Sequence, residues 1–329
     1  MSFETVLGHS KPIGLLQRAI RNDRMAQSYL FLGNEGIGKK LVALQFAKAL
    51  NCLQKGKERG DSCDQCTSCN KIEGLLHPDV LVLEPENQTL KVEQVRQMQR
   101  DLAFRPYEGK YRVCILASAD RMAPHMSNML LKTLEEPPPY TILILLANHM
   151  RLILPTILSR CQLIRFNPLP IPLVAQWLRE RQGLEEGEAH LFASLSEGSL
   201  GKALEIEKEI REMSREELLK GLIGENSLSA ERMQSWVKSL PTQERERLIL
   251  VLEVAKTLLR DMIIVKTLKE GAPIIHSDLL RQIKTLTLNW KLSSLLKRME
   301  ILHQTTFAIR NNANTELALE AMMLSWAKG

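Results

Sequence analysis

The sequence contains no apolar run of the roughly 20 residues that a membrane-spanning helix needs. This absence argues against an ordinary transmembrane protein. The N-terminus, MSFETVLGHSKPIG, also lacks the features of a secretory signal peptide, because acidic and polar residues fall within its first ten positions. We therefore expect the protein to reside in the cytoplasm.

Internal repeats and low-complexity tracts are absent as well. With 44% hydrophobic and 25% charged residues, the composition is that of an ordinary globular protein, and 329 residues are too many for one compact core. The formal charge of +6 is compatible with a nucleic-acid partner. Lysine and arginine are nevertheless spread along the chain, so the pattern does not predict a strong DNA-binding stripe.

Five short apolar runs with β-branched residues occur in the first half of the chain, and helical patterns separate most of them. Continuous apolar strands that alternate with helices are typical of a parallel sheet covered on both faces. After NPLPIP, at residues 167–172, only helical patterns follow. The sequence predicts an α/β domain at 1–166, a small helical domain at 167–205 and a helical bundle at 206–329. The predicted strands are 28–33, 79–85, 111–119, 141–148 and 161–166.

The segment FLGNEGIGKK resembles a phosphate-binding loop. Gly33, Gly38 and Lys39 fit the pattern G-x-x-x-x-G-K-[ST] after an apolar strand, and Gly36 lies inside the same loop. In such a loop the backbone N–H groups hold phosphates, the lysine reaches the terminal phosphates, and the final hydroxyl binds magnesium. Here Lys40 replaces the hydroxyl, and its ammonium repels a divalent cation.

The second element that should hold magnesium is missing too. A strand that ends in Asp, often Asp-Glu, normally organises the metal and the attacking water. The corresponding strand ends in Ala117 and Ser118, with Asp120 three residues too late. These two losses predict a nucleotide-binding fold that does not hydrolyse ATP, although ATP or ADP binding stays open. The alternatives are a simple strand-to-helix turn, or an active ATPase that uses Asp120 or Glu35.

Four of the six cysteines lie together in the segment 52–69. Four thiolates suit a tetrahedral Zn²⁺ ion, and four protein ligands leave no open position, so a structural site is predicted. An iron–sulfur cluster uses related spacing, and free thiols are the simplest alternative. His77 is a possible replacement for the first cysteine, whereas Cys114 and Cys161 are expected to be buried without a ligand. The four clustered residues are Cys52, Cys63, Cys66 and Cys69.

Over nearly its whole length the chain resembles the AAA+ clamp-loader family of bacterial DNA polymerase III. The residues that carry the resemblance include AQSYLFLGNEGIGKK, the four-cysteine insert, HPDVLVLEP, RPYEGKYRVCILASADRM, SNMLLKTLEEPP, ILPTILSRCQLIRF, EGSLGKALEI and NNANTELALEAMMLSW. The resemblance implies an AAA+ domain with a zinc module, a small helical lid and an all-α collar that holds an oligomer together. It also implies a role in loading a sliding clamp on primer–template DNA.

The resemblance further implies a division of labour among subunits. Motor subunits of the tau/gamma type carry an intact phosphate loop and, in the second domain, an arginine where this chain has Gly201. These departures match a non-hydrolysing stator that assembles with motor subunits and the delta subunit. In the family, the arginine of Ser159-Arg160-Cys161 reaches into a neighbouring ATP site, which implies that Arg160 acts in trans. A surface arginine that caps a helix end is the simpler interpretation.

Two other functions stay open at this point. One is an active motor subunit of the same loader, and the other is a zinc-containing module that binds nucleic acid through basic residues in 53–59.

The C-terminal helices have apolar faces that suit a bundle, but a sequence does not separate burial within a chain from burial between chains. For Asn312 and Asn314, the physical role that the sequence suggests is capping of a helix start. The residues of the apolar faces are Leu248, Leu252, Leu258, Leu259, Leu317, Leu319, Met322 and Leu324.

Overall fold

In a computed structural model, the chain forms two compact units. The first unit comprises residues 1–169 together with 198–201, and the second comprises 170–197 together with 202–329. The residues that the structure describes are 2–54, 60–85, 91–211, 215–223, 237, 240–268 and 274–327.

The first unit contains a five-stranded sheet in which every neighbouring pair is parallel, in the order β2-β3-β4-β1-β5. Strand β1 lies between β4 and β5, and its Leu30 is opposite Leu145 on one side and Leu163 on the other. All five predicted strands are confirmed, each shorter than the apolar run by one to four residues. The strands are β1 (Ser28–Leu32), β2 (Val80–Leu83), β3 (Arg112–Leu116), β4 (Thr141–Ala147) and β5 (Gln162–Arg165).

Helices cover both faces of this sheet, as the continuous apolar strands predicted. Successive residues of a strand point to opposite faces, so Phe31 joins a core with Phe46 of α2, whereas Leu30 joins a second core with Met98 of α4 and Leu130 of α5. The helices of this unit are α1 (Ser10–Arg21), α2 (Lys39–Asn51), α3 (Thr67–Glu73), α4 (Val92–Leu102), α5 (Pro124–Glu135) and α6 (Pro155–Leu158).

The two cysteines outside the cluster differ in burial. Cys114 is completely buried in β3, as predicted, and burial raises the pKa of its thiol to about 12. Cys161 was expected to be buried but is only half-buried. It immediately precedes β5, which lies at the edge of the sheet and pairs with β1 alone.

The second unit is helical throughout its described residues, which confirms that no strand follows residue 172 there. Its long helix α11 packs against α13, and Leu248, Leu252, Leu258 and Leu259 are fully buried. No described helix combines the length and apolarity of a membrane span. The predicted division at 205/206 stays a prediction. The helices are α7 (Ile171–Gln182), α8 (Glu186–Leu195), α9 (Leu200–Arg211), α10 (Arg215–Ile223), α11 (Arg245–Thr267), α12 (Leu280–Thr287), α13 (Leu292–Arg310) and α14 (Thr315–Ala327).

Candidate functional site

The predicted phosphate loop connects β1 with α2 at the carboxyl edge of the sheet. Gly36 and Gly38 have φ angles of 72° and 103°, in the region that glycine adopts without steric cost. A Cβ atom on Gly33 would lie 2.5 Å from the carbonyl oxygen of Phe166. The backbone path therefore requires glycine at Gly33 and favours it at Gly36 and Gly38. The loop borders a cavity of about 320 Å³.

Lys39 is turned towards the loop's own backbone. Its ammonium donates hydrogen bonds to the carbonyl oxygens of Gly33 at 2.5 Å and Asn34 at 2.7 Å, and to Asn148 Oδ1 at 2.8 Å. An ammonium has three donors, so all of them are engaged. Burial lowers the pKa of Lys39 to about 8, against the opposing attraction of Asp120 and Glu35.

Lys40, which replaces the expected hydroxyl, forms an ion pair with Glu84 just beyond β2. Both side chains are about half exposed. The same cavity is lined by Ala117 and Ser118 at the end of β3. None of the three positions predicted for magnesium chemistry therefore carries a carboxylate, and the first carries a positive charge.

Asp120 and Glu35, the carboxylates considered for an active ATPase, already have other partners. Asp120 Oδ2 accepts hydrogen bonds from the backbone N–H groups of Asn148 at 3.1 Å and His149 at 3.0 Å. Its other oxygen is buried and has no hydrogen-bond partner among the described residues. Glu35 pairs with Arg121 at 3.1 Å. Asp120 thus fixes the turn after β4, which gives it a structural role.

The carbonyl oxygens of five consecutive loop residues, 33–37, all take part in hydrogen bonds. Lys39 donates to the first two of these oxygens. The Ser199 hydroxyl donates to the third at 2.8 Å, the Gly201 N–H donates to the fourth at 2.9 Å, and His9 Nε2 lies 2.7 Å from the fifth. Side chains and backbone from three parts of the chain therefore hold the carbonyl side of the loop in place.

Gly201 lies where the resemblance places an arginine in motor subunits. A Cβ atom at this position would lie 3.0 Å from both the Cα and the carbonyl oxygen of Gly36. Any side chain would press on the backbone of the phosphate loop. The glycine is thus a packing requirement of this loop conformation.

Arg160 lies between α6 and β5, and three acceptors hold its guanidinium. Nη2 forms an ion pair with Glu135 Oε1 at 2.7 Å. Nη1 donates to the carbonyl oxygen of Thr156 at 2.9 Å and to Ser159 Oγ at 3.2 Å. The contact with Thr156 is the one expected if Arg160 is a surface arginine that caps the end of a helix. A third of the Arg160 side chain nevertheless stays exposed. The role of Arg160 in trans stays a prediction.

The four clustered cysteines converge on one point, since their sulfur atoms all lie within 4.8 Å of one another. Cys63 Sγ and Cys69 Sγ are 3.9 Å apart. Four ligands at about 2.3 Å from a tetrahedral zinc ion lie roughly 3.8 Å from each other. The N–H groups of Cys66 and Cys69 approach the sulfur atoms of Cys63 and Cys66 at 3.3 and 3.5 Å. The donor set fits one zinc ion.

The thiols of the cluster do not ionise equally easily. Burial opposes ionisation of the Cys63 thiol, but the N–H groups of Gln65 and Cys66 outweigh it and lower the pKa of Cys63 to about 6. Burial raises the pKa of Cys69. Simultaneous ionisation of all four thiols needs a metal ion. His77 is not in the cluster, and its Nδ1 accepts a hydrogen bond from the Asp79 N–H.

A buried lysine fastens this cysteine module to α2. Lys48 is 1% exposed and forms ion pairs with Asp64 at 2.6 Å and Glu73 at 2.7 Å. Burial favours the neutral amine, but the hydrogen bonds to these carboxylates outweigh it and raise the pKa of Lys48. Residues 55–59, which include the basic residues of the segment 53–59, lie outside the described residues.

Sequence reasoning missed several residues of these sites, among them His9, Lys48, Glu135 and Ser199. Their partners are distant in the chain, 164 positions away in the case of Ser199. No local pattern marks such contacts. Two of them had a signal: Glu135 belongs to the motif LLKTLEEPP and Ser199 to EGSLGKALEI, but neither residue was assigned a role.

In α13 and α14 the structure separates the core residues from the exposed ones. Leu319 and Met322 are buried, but Leu317 and Leu324 are 65% and 61% exposed, and Phe307 is 64% exposed. These three side chains do not belong to the core of the second unit. Their apolar surface is therefore available for a contact between chains.

The two asparagines of the C-terminal motif have different structural roles. Asn314 Oδ1 accepts the N–H of Leu317 at 3.0 Å, which confirms the predicted capping of a helix start. Asn312 follows α13 with a φ of 67° and receives a hydrogen bond from Arg245. Asn312 therefore shapes the turn between α13 and α14, and does not cap a helix start.

Comparison with known proteins places this geometry in a family. The family model described as DNA polymerase III, delta subunit, matches residues 8–170. The model of the C-terminal part of the same subunit matches residues 212–328. The two matches do not overlap, and together they include most of the chain.

Two related proteins agree with these matches. DNA polymerase III subunit delta' of Bacillus subtilis is 34% identical over 194 residues, which are 59% of this chain and 57% of that protein. The tau/gamma subunit of Haemophilus influenzae is 30% identical over 210 residues, 62% of this chain and 30% of the relative. A gamma subunit-related structure from Thermotoga maritima is 19% identical with a TM-score of 0.46, over 96% of this chain and 99% of that one. The chain belongs to the clamp-loader family of DNA polymerase III.

Proposed function

We propose that this chain is a non-hydrolysing stator of the delta-prime type in the DNA polymerase III clamp loader. In this role it supports the ATP-dependent loading of the sliding clamp on primed DNA during replication. It acts in the cytoplasm as part of a hetero-oligomer. The observation that carries the proposal is the phosphate loop, in which the lysine is engaged internally and the metal ligands are replaced.

The electrostatics of the loop disfavour magnesium. Magnesium requires near-octahedral oxygen ligands. Lys40 offers an ammonium in place of the hydroxyl, and this ammonium is paired with Glu84. Ala117 and Ser118 stand where the acid of the strand end is needed. Without that acid no carboxylate at this strand end orients the attacking water.

Nucleotide binding is weakened because the Lys39 ammonium is already hydrogen-bonded to other groups of the protein. The ammonium must leave three acceptors before it reaches a terminal phosphate, and it is buried, so water does not easily replace those contacts. The glycine backbone of Gly33, Gly36 and Gly38 still has the shape of a phosphate cradle. We expect ATP or ADP to bind weakly, and we expect no hydrolysis.

The cysteine cluster is proposed to hold one structural Zn²⁺ ion through Cys52, Cys63, Cys66 and Cys69. Four thiolates complete the tetrahedral coordination, so no position is left for water and no catalysis is expected there. The metal would join the end of α2 to α3. Its role is to stabilise the loop between the phosphate-loop helix and β2.

The partners follow from the family and from the exposed surface. We propose assembly with tau/gamma-type motor subunits and the delta subunit, partly through the apolar surface of Phe307, Leu317 and Leu324. The sliding clamp and primer–template DNA are reached through the assembled complex. Within it, Arg160 is proposed to complete the ATP site of a neighbouring motor subunit.

The test of this function is ATP hydrolysis by the purified chain and by the chain assembled with motor subunits. We expect no magnesium-dependent turnover by the isolated chain, and clear turnover by the assembly. Lys40→Thr is the matched variant, because it restores the hydroxyl but not the acid at the end of β3. It is expected to stay inactive. Turnover by the isolated chain that Lys39→Ala abolishes would contradict the stator role.

Replacing Lys39 by methionine is expected to destabilise the protein. The change leaves two backbone carbonyls and the Asn148 side chain without their donor, and each unsatisfied buried acceptor costs about 1–3 kcal/mol. We expect the free energy of unfolding to fall by roughly 2–4 kcal/mol. Urea denaturation measures this loss.

The control for this experiment is Lys40→Met, which removes a neighbouring ammonium from a half-exposed ion pair. Such pairs contribute about 0.2–1 kcal/mol. Equal stability of the two variants would show that Lys39 is free in solution, and that its contacts with the loop carbonyls are not maintained.

A further inference from the structure

The ion pair between Glu135 and Arg160 joins two motifs that are separate in the sequence. Glu135 is the last residue of α5, where three prolines, 137–139, follow and prevent the helix from continuing. Arg160 follows the single turn of α6. The 2.7 Å contact between their charged groups therefore brings the end of LLKTLEEPP onto the Ser-Arg-Cys motif.

The position of Glu135 is electrostatically unfavourable on its own. The C-terminal end of a helix carries partial negative charge, so a carboxylate in the last turn is repelled. Glu136 follows directly and adds a second negative charge. A nearby cation offsets this repulsion, and Arg160 is the cation that contacts Glu135. The helix end and the arginine thus stabilise each other's charge.

The contacts also restrict where the arginine points. Glu135 binds Nη2, and the other terminal nitrogen, Nη1, donates to the Thr156 carbonyl and Ser159 Oγ. A free arginine samples many rotamers, and that freedom is lost whenever it binds a phosphate. An arginine that is already held in one orientation loses less freedom on binding, which is the usual advantage of preorganisation.

We propose that Glu135 is a positioning residue for Arg160: it holds the guanidinium ready to contact the phosphates of a neighbouring subunit. This inference rests on the proposed donation of Arg160 in trans. Glu135 touches neither the nucleotide nor the reacting atoms, so its effect passes entirely through the arginine. The carboxylate charge is the property that matters.

The experiment uses Glu135→Gln in the complex assembled with motor subunits. Glutamine keeps the size and an acceptor oxygen but removes the charge. We expect kcat for ATP hydrolysis at the neighbouring site to fall about 2- to 5-fold, the rate equivalent of a partly exposed ion pair, with KM unchanged. Glu136→Gln is the matched control and should leave both constants unchanged.

A double variant separates this role from the proposed function. If Glu135 acts through Arg160, Glu135→Gln combined with Arg160→Ala should match Arg160→Ala alone. Additive losses, or a Glu135→Gln complex as active as the Glu136→Gln complex, would overturn the positioning role and leave the donated arginine intact. If Arg160→Ala itself has no effect, both the donation and the positioning role are wrong.

A measurement on the isolated chain checks the physical basis without activity. The side-chain Nε–H signal of Arg160 in NMR relaxation should report an ordered group in the wild-type chain and in Glu136→Gln. In Glu135→Gln we expect a clear drop of its order parameter. Equal order in all three proteins would show that Glu135 does not restrict the arginine, which would overturn the inference.

Discussion

Replacing Arg160 by alanine is expected to reduce ATP hydrolysis about 10³-fold or more at the motor site that Arg160 is proposed to complete. An arginine supplied in trans stabilises the negative charge that develops on the transferred phosphoryl group. Alanine removes that charge and the bidentate geometry together. Arg160→Lys keeps the charge but lacks the planar fork, so we expect it to recover only part of the rate.

The measurement requires an assembly in which ATP hydrolysis at this one site can be separated from hydrolysis at the other motor sites. We suggest motor subunits whose own Ser-Arg-Cys arginines are replaced, so that only Arg160 of this chain remains to act. Arg151→Ala is a suitable control, because Arg151 is an exposed arginine close in sequence. A complex with Arg160→Ala that hydrolyses ATP at the wild-type rate would contradict the donation in trans.

Loss of the proposed zinc ion is expected to have the largest effect on stability. Structural zinc sites contribute strongly to folding, with apparent binding free energies of about 10–16 kcal/mol in small zinc-finger peptides. In a domain with a large core the loss is smaller, and we expect Cys66→Ser to lower the free energy of unfolding by about 3–5 kcal/mol. Cys66 caps α3 and contributes its sulfur to the cluster.

The damage should extend beyond the cysteines because neighbouring contacts depend on the same loop. Asp61 accepts the N–H of Phe3 at 3.0 Å, and Asp64 pairs with the buried Lys48. If the loop unfolds, Lys48 loses an ion-pair partner in a buried position, which is costly. The N-terminal turn loses its anchor as well. We therefore expect faster proteolysis at both ends of the module.

Zinc content and thermal unfolding measure this prediction. We expect one zinc ion per wild-type chain by elemental analysis, and little or none in Cys66→Ser or after treatment with a strong chelator. Cys161→Ser is the control, because Cys161 lies outside the cluster. A wild-type chain that contains iron, or a chelated chain of unchanged stability, would rule out a structural zinc site.

Much of the first unit could be predicted because its signals are local. A strand buried on both faces is a continuous apolar run, and the five runs became the five strands. Gly33, Gly38 and Lys39 identified the loop because the motif is defined by the spacing of these residues in the sequence. The spacing of the four cysteines is an equally local signal, and the structure brings their sulfur atoms within 4.8 Å of one another.

Other features could not be predicted because they depend on residues far apart in the chain. Nothing near Lys39 in the sequence indicates that Asn148 would accept one of its hydrogen bonds. The pattern of α14 likewise did not separate Leu319, which is buried, from Leu317, which is exposed. Periodicity identifies an apolar face, but the neighbouring helices decide which part of that face they cover.

The amino-acid sequence alone determined the parallel sheet, the glycine loop without its magnesium ligands, and the four thiols of the cysteine module. Each of these depends on residue type and short spacing, which the chain carries locally. Only the tertiary structure decided that Lys39 binds the loop's own carbonyls, that Gly201 packs on Gly36 and that Glu135 meets Arg160. Those contacts arise when distant segments pack together, because short-range chemistry then acts between residues that the chain keeps far apart.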